Sequence, residues 1–140
     1  MRKGFTLIEL LVVIAIIGVL SMIGLASFQT ASKISRDGKR KGDINQVRAA
    51  LELYKSQFNT YPAYNPHNSS SYTSATNVLK NAQYLPAPVP MDPKDVNPFQ
   101  YTYSSNGTTY CLCADLENSG GNSSGACGGS SGSYYCLTQP

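Results

Sequence analysis

Tryptophan is absent from this chain and histidine occurs once, at His67. No proline precedes Pro62, and no charged side chain lies between Leu10 and Phe28. Each gap excludes something. A lone histidine, with no nucleophile elbow, no phosphate loop and no His/Cys pairing in the sequence, leaves no candidate for acid–base or nucleophilic catalysis. No enzyme and no catalytic residue are therefore expected. The glycines between Gly120 and Gly132 precede no helical pattern, so they cannot present amides to a phosphate. The net charge of +3 is small. Without Met1–Gly4, nine basic side chains would face eight acidic ones, a balance that does not make nucleic acid a direct partner.

The cysteines are confined to the last third, at Cys111, Cys113, Cys127 and Cys136. An even number in a Gly/Ser-rich region behind an export-type N-terminus points to disulfides in an oxidising compartment. Cys111 and Cys113 are too closely spaced for the usual zinc-site pair, the later gaps do not repeat the spacing, and His67 lies in a loop-like stretch far along the chain. No metal or other cofactor is expected on these grounds. The ten tyrosines, with abundant Ser, Asn and Gly, suggest a hydrogen-bonding exterior around a thin core.

What the chain does have is one long apolar run, Phe5–Phe28, with Glu9 as its single ionisable residue. About 20 such residues form a helix able to cross a bilayer. Arg2 and Lys3 precede it, so the positive-inside rule places the N-terminus in the cytoplasm. A carboxylate one turn inside such a helix must be neutralised, carried to the interface or paired. No small-residue cleavage site follows Phe28, as a secretory signal would require.

The segment Arg2-Lys3-Gly4-Phe5-Thr6-Leu7-Ile8-Glu9-Leu10 resembles the class III signal of type IV pilins and type II secretion pseudopilins. That resemblance implies cleavage by a prepilin peptidase between Gly4 and Phe5 and N-methylation of Phe5. It also implies an assembly role for Glu9, whose partner would be the N-terminal amine of a neighbouring copy. Phe5 and Glu9 are four apart and share a helical face. The fold it implies is α+β and pilin-like: a long N-terminal helix whose C-terminal half packs on a small antiparallel sheet. The chain then divides into a leader (residues 1–4), a membrane or fibre-core half-helix (5–28), a solvent-side half-helix (29–58) and a globular head (59–140). The implied partners are further copies of the chain, the peptidase, membrane lipid, and a membrane platform driven by an assembly ATPase. The implied locations are the bacterial cytoplasmic membrane before assembly and an extracellular or envelope filament after it.

The rest of the chain fits that frame. Residues 29–42 are polar and then strongly charged, with a basic cluster from Arg36 to Lys41. It reads as a solvated helix surface or a surface pairing with acids of neighbouring subunits. From Asp43 an apolar stripe follows at helical spacing, Ile44, Val47, Leu51, Tyr54 and Phe58, with Arg48, Glu52 and Lys55 on a solvated face. Residues 62–76 read as a polar loop, 77–82 as a short helix and 86–98 as a stiff proline-rich connector. Strands are predicted at 100–104, 108–116 and 133–138, the first two joined by the turn Ser105-Asn106-Gly107. Of the three pairings that four cysteines permit, nesting of the last two strands suggests Cys113–Cys127 and Cys111–Cys136.

Leu53-Tyr54-Lys55, Tyr61-Pro62, Leu85-Pro86, Met91-Asp92-Pro93 and Pro98-Phe99-Gln100-Tyr101 resemble the middle of the major pseudopilin of type II secretion. The alternative reading is therefore such a pseudopilin, a periplasmic piston for protein export. The major pseudopilins bind calcium in a late loop. Here Asp115, Glu117 and Asn118 offer oxygens of suitable hardness without following a calcium motif. C-terminal disulfide loops like the one expected here occur in type IV pilins. Gly18, Ser21 and Gly24 read equally as close-packing positions or as a loosening point, where many type IV pilins have a proline.

Overall fold

The computed structural model describes residues 4–118, 120–122 and 133–138, so Cys127 lies outside the described residues. The chain divides into two units, Met1–Ile34 and Ser35–Pro140. Helix α1, Leu7–Phe58, is continuous over 52 residues. Its backbone stays helical through Gly18, Gly24, Gly38 and Gly42, each of which costs about 1 kcal/mol relative to alanine. It ends where Asn59 takes a left-handed conformation, φ 55°, with its N–H donating to the Lys55 carbonyl at 2.7 Å. Asn tolerates that region better than most residues.

In the second unit, the predicted stripe of α1 is buried at Ile44, Val47 and Leu51 and partly at Tyr54, with Ala50 joining it, while Phe58 is exposed. A side chain of this size contributes about 1.5–3 kcal/mol on full burial. The same core takes Tyr72, Ala75 and Leu79 from α2 (Ser69–Asn81), and Tyr101, Tyr103, Tyr110, Leu112 and Ala114 from the sheet and its approach. The sheet has four strands, β1 (Tyr64–Asn68), β2 (Thr102–Ser105), β3 (Tyr110–Asp115) and β4 (Tyr134–Thr138). They lie side by side in chain order, every pair antiparallel.

Two expectations need correction here. The stretch read as a polar loop holds β1 and the first two turns of α2. Asn68 caps that helix, its side chain accepting from the Ser71 N–H at 2.8 Å. The serines and threonines that follow conceal an apolar face at Tyr72, Ala75 and Leu79. Tyrosine, secondly, is a core residue. Tyr61, Tyr72, Tyr101, Tyr103 and Tyr110 are all buried, and each hydroxyl donates to an acceptor at the margin of the core. Tyr72 reaches the Pro90 carbonyl at 2.7 Å, Tyr103 the Pro62 carbonyl at 2.8 Å and Tyr101 the Asp43 carboxylate at 2.7 Å. Tyr61 and Tyr110 both donate to Glu52, which is therefore engaged rather than simply solvated. Burial, reinforced by Glu52, pushes the Tyr61 hydroxyl up to about 12.

The predicted turn joins β2 to β3. Asn106 accepts from the N–H groups of Thr108 and Thr109, and Gly107 sits at φ 91°. Gly107 receives the end of α1: its carbonyl accepts from the Tyr61 N–H at 2.8 Å and from the Thr60 hydroxyl at 3.0 Å. A Cβ there would lie 2.8 Å from Thr60 Oγ1. At the far edge, Asn122 occupies both outward groups of Cys136, donating to its carbonyl and accepting its N–H. The edge of β4 is thereby closed at that residue to strand addition.

Gly107→Ala combines a left-handed φ with that contact and is expected to cost about 1–3 kcal/mol. Thermal unfolding of the full chain in detergent micelles checks it; an unchanged midpoint would refute this account of the turn.

Candidate functional site

The N-terminal unit presents apolar side chains on all sides of α1. From Leu7 to Phe28 the large ones are exposed throughout, between 46 % at Val13 and 86 % at Leu7. This is the one helix, among the described residues, long and apolar enough to cross a membrane. A helix apolar all round requires lipid or other helices about it. Its start is organised by a reciprocal cap. Glu9 Oε2 accepts from the Thr6 N–H at 2.9 Å and the Thr6 hydroxyl at 2.7 Å. Thr6 Oγ1 in turn accepts the Glu9 N–H at 3.3 Å. This is a Ser/Thr-x-x-Glu capping box. The pattern stands openly in Thr6-Leu7-Ile8-Glu9, beneath the more conspicuous charge of Glu9. Ser21 donates to the Ile17 carbonyl at 2.8 Å, within its own helix.

A second constellation lies in the head. The basic cluster Arg36–Lys41 is not simply a solvated surface, and its first members find their acids within the chain. Arg40 is wholly buried. Its Nε and Nη2 donate to Asp92 at 2.6 and 3.0 Å, and its Nη1 donates to Asp37 at 2.8 Å and Glu117 at 3.0 Å. Arg36 makes a two-pronged pair with Glu117, at 2.6 and 2.7 Å, and Lys94 reaches Glu117 at 2.8 Å. Asp37 also accepts the N–H groups of Glu117 and Asn118 and the Asn118 side-chain amide. Phe99 covers the cluster, with the Arg40 guanidinium 4.9 Å and the Lys94 ammonium 4.5 Å from its ring centre.

One turn and a half of α1 is thus fastened to the proline-rich connector and to the segment after β3. The signal was present: read backwards, the stripe Leu51, Val47, Ile44 continues through Arg40 and Asp37 at the same alternating spacing. Their charge masked their place on the inward face. Of the three residues with suitable oxygens, Glu117 is held by three cations and Asn118 by Asp37, while Asp115 is buried at the end of β3.

The hydrogen bonds from Arg36 foremost, with those from Lys94 and Arg40, hold the Glu117 carboxyl well below its ordinary range despite burial. Burial alone would raise Asp37, but the donors from Glu117, Asn118 and Arg40 outweigh it and lower it. Burial raises Asp115.

The outer face of the sheet gathers the sulfurs. Register places Cys113 opposite Cys136, their Cα atoms 4.1 Å apart, and these two are disulfide-bonded. The pairs suggested by nesting, Cys113–Cys127 and Cys111–Cys136, are both displaced by this bond. The physical reason is a shift of two residues: Cys111 lies opposite Thr138. Cys111 is disulfide-bonded too, and its Sγ is 3.7 Å from that of Cys113. His67, expected in a loop far from any cysteine, stands on β1 beside them. Its Nδ1 is 3.2 Å from Ser104 Oγ and its Nε2 2.8 Å from Thr102 Oγ1; burial lowers its pKa.

The sequence that carries Gly4, Phe5, Thr6 and Glu9 at the head of the apolar run is matched by a family model, "Prokaryotic N-terminal methylation motif", over residues 1–25. This N-terminus is similar to the prokaryotic N-terminal methylation motif. The similar proteins are of two kinds. Type II secretion system core protein G of Pseudomonas aeruginosa is 36 % identical over 62 residues, 44 % of this chain and 44 % of that protein. Type IV major fimbrial protein FimA of Dichelobacter nodosus is 40 % identical over 52 residues, 37 % of this chain and 33 % of that protein. Type IV major alpha-pilin of Moraxella bovis is 41 % identical over 51 residues, 36 % and 32 % respectively. The chain thus matches less than half the length of each. No solved structure matches it. The match takes in the capping box and most of the apolar run; the ion cluster and the sulfur face lie beyond it.

Two measurements probe the ion cluster. Removing the guanidinium with Arg40→Ala leaves Asp37 and Asp92 buried without their cation, which typically costs about 3–5 kcal/mol; urea unfolding of the full chain in micelles gives the value. Because the pKa values of Asp37 and Glu117 are lowered by folding, their contribution is complete above the ordinary carboxylate range near pH 4 and is lost as pH falls below it. The unfolding midpoint is expected to drop on acidification below about pH 4, and to drop less in Glu117→Gln.

Proposed function

We propose that this chain is a structural subunit of a type IV pilus or pilus-like filament. In this reading a prepilin peptidase cuts between Gly4 and Phe5, and Phe5 becomes N-methylated. The helix first lies in the cytoplasmic membrane with its N-terminus inside. It then passes into a filament core made of the same helix from other copies, driven by a membrane platform and its ATPase. The head, residues 59–140, faces outward. The role is mechanical rather than catalytic, and nucleic acid is not a direct ligand.

The observation that carries this reading is the junction of the methylation motif with a helix whose large side chains from Leu7 to Phe28 are all exposed. In water that surface is untenable. Lipid and a bundle of like helices are the two environments that suit it, and a subunit that moves from one to the other uses both. Glu9 fits the second environment. Among the described residues its carboxylate accepts from Thr6 alone and retains acceptor capacity, which the cationic amine of a neighbouring Phe5 would use.

A second reading, a major-type pseudopilin of a type II secretion system, is supported by the likeness to secretion protein G and by the absence of any proline before Pro62. Disruption of the gene separates the two: loss of sheared surface fibres supports the pilus, and loss of protein export with fibres intact supports the pseudopilus.

Mass spectrometry of the mature chain should find it beginning at a methylated Phe5. Retention of Met1 would refute the processing step. Glu9→Ala should leave a stable membrane-inserted subunit that fails to enter filaments, so wild-type filament yield from that variant would remove Glu9 from assembly.

A further inference from the structure

The sheet's outer face carries donors that the assembly reading leaves unused. His67 on β1 and Cys111 and Cys113 on β3 each bring one ligand atom to within 4.8 Å of the others. Cys136 Sγ is bonded to Cys113 Sγ and so adjoins the same point. The Cys111 and Cys113 sulfurs are 3.7 Å apart. A tetrahedral zinc ion with bonds of about 2.3 Å to sulfur separates two thiolates by about 3.8 Å, the edge of its coordination tetrahedron. The strand period of two places Cys111 and Cys113 on the same face of β3.

His67 is also seated as ligating histidines commonly are. Its two ring nitrogens lie beside the hydroxyls of Ser104 and Thr102. Whichever nitrogen turned to an ion, the other would keep a hydroxyl neighbour to orient the ring. In the oxidised chain the donors are occupied, since Cys111, Cys113 and Cys136 are all disulfide-bonded.

We propose that the reduced protein binds one thiophilic divalent cation of the zinc class through His67, Cys111, Cys113 and Cys136. Disulfide and metal are then alternative closures of one sheet face. A phosphine reductant opens each bridge by taking up the oxygen of one water molecule as phosphine oxide. Its two electrons and the two protons of that water give two thiols per bridge. The cation then displaces three thiol protons and binds three thiolates and the neutral imidazole. Sulfur with imidazole suits zinc, cadmium or cobalt and disfavours calcium and magnesium, which prefer oxygen.

The test uses the full chain in detergent, reduced with a water-soluble phosphine under argon and titrated with Co²⁺. One equivalent should produce sulfur-to-cobalt charge transfer and the strong ligand-field bands of a tetrahedral site. Zn²⁺ should bleach them, and the oxidised chain should give none. His67→Ala and Cys111→Ser should each weaken binding by about tenfold or more. Absence of a tetrahedral spectrum overturns the proposal. So does a spectrum indifferent to both substitutions, which would place the ion on thiols without the fold. If reduction abolishes the near-ultraviolet circular dichroism of the head, Zn²⁺ must restore it in the wild-type chain, and failure to do so counts against the site equally.

Discussion

A guanidinium removed from water must have its charge matched and its donors occupied, or the fold that buries it is not stable. Arg40 is in that position, and its demand organises the head. Desolvating such a group costs several kcal/mol, returned only when geometry and hydrogen bonds are good. Here they come from three places in the chain: Asp37 one turn back on α1, Asp92 in the proline-rich connector, and Glu117 after β3. Arg36 and Lys94 then balance the carboxylates, so that three cations meet three anions. A segment as poor in regular structure as residues 86–98 has few backbone hydrogen bonds to place it. Asp92 places it by charge, and accepts the Lys94 N–H at 2.8 Å as well. Buried ion pairs are weak arguments for stability but stronger ones for register. That is their use in this head, where a sliding connector or a displaced post-β3 segment would strand a charge.

The tyrosines apply a related rule to the core. A small head cannot bury many large aliphatic side chains and still clothe itself in polar ones. Tyrosine supplies aromatic area while its hydroxyl reaches an acceptor at the core's margin. The rings pack edge-on, as Tyr61 on Tyr110 and Tyr72 on Tyr101, and the hydroxyls reach backbone carbonyls and the acids Asp43 and Glu52. The acceptors are as necessary as the rings, because a buried hydroxyl without one costs about 1–3 kcal/mol.

What could be read from the chain follows from which physical signal dominated each stretch. The long helix, its inward stripe, the β2–β3 turn at Ser105-Asn106-Gly107 and the last strand were legible because apolar periodicity or turn chemistry was unopposed there. The start of α2 was hidden by Ser and Thr, which favour caps and turns in isolation, although Tyr72, Ala75 and Leu79 kept helical spacing. The burial of Arg40 is masked by its charge, which suggests solvent, whereas its position on the stripe points inward. The disulfide depended on strand register, which the cysteine positions do not contain: a slip of two residues on one face exchanges Cys111 for Cys113 opposite Cys136. His67 came to the sulfurs through β1, a strand interrupted by Pro66 and without the alternation that would announce it.

Helix α1 thus obeys two different solvents along one uninterrupted backbone. Up to Phe28 its large apolar side chains are exposed, and the capping box of Thr6 and Glu9 satisfies its first donors from within. From Asp37 onward the same helical period alternates between charge met by charge and apolar side chains met by tyrosine. A helix that served only as a tether would need no carboxylate at Glu9, since any good N-cap would close its start. A carboxylate retained one turn inside an apolar helix is expensive in lipid, and the Thr6 contacts reduce that cost without neutralising the charge. The remaining charge is most readily accounted for by a cation supplied from outside the chain, which is why the reading of this helix as an assembly element rests more on Glu9 than on its length.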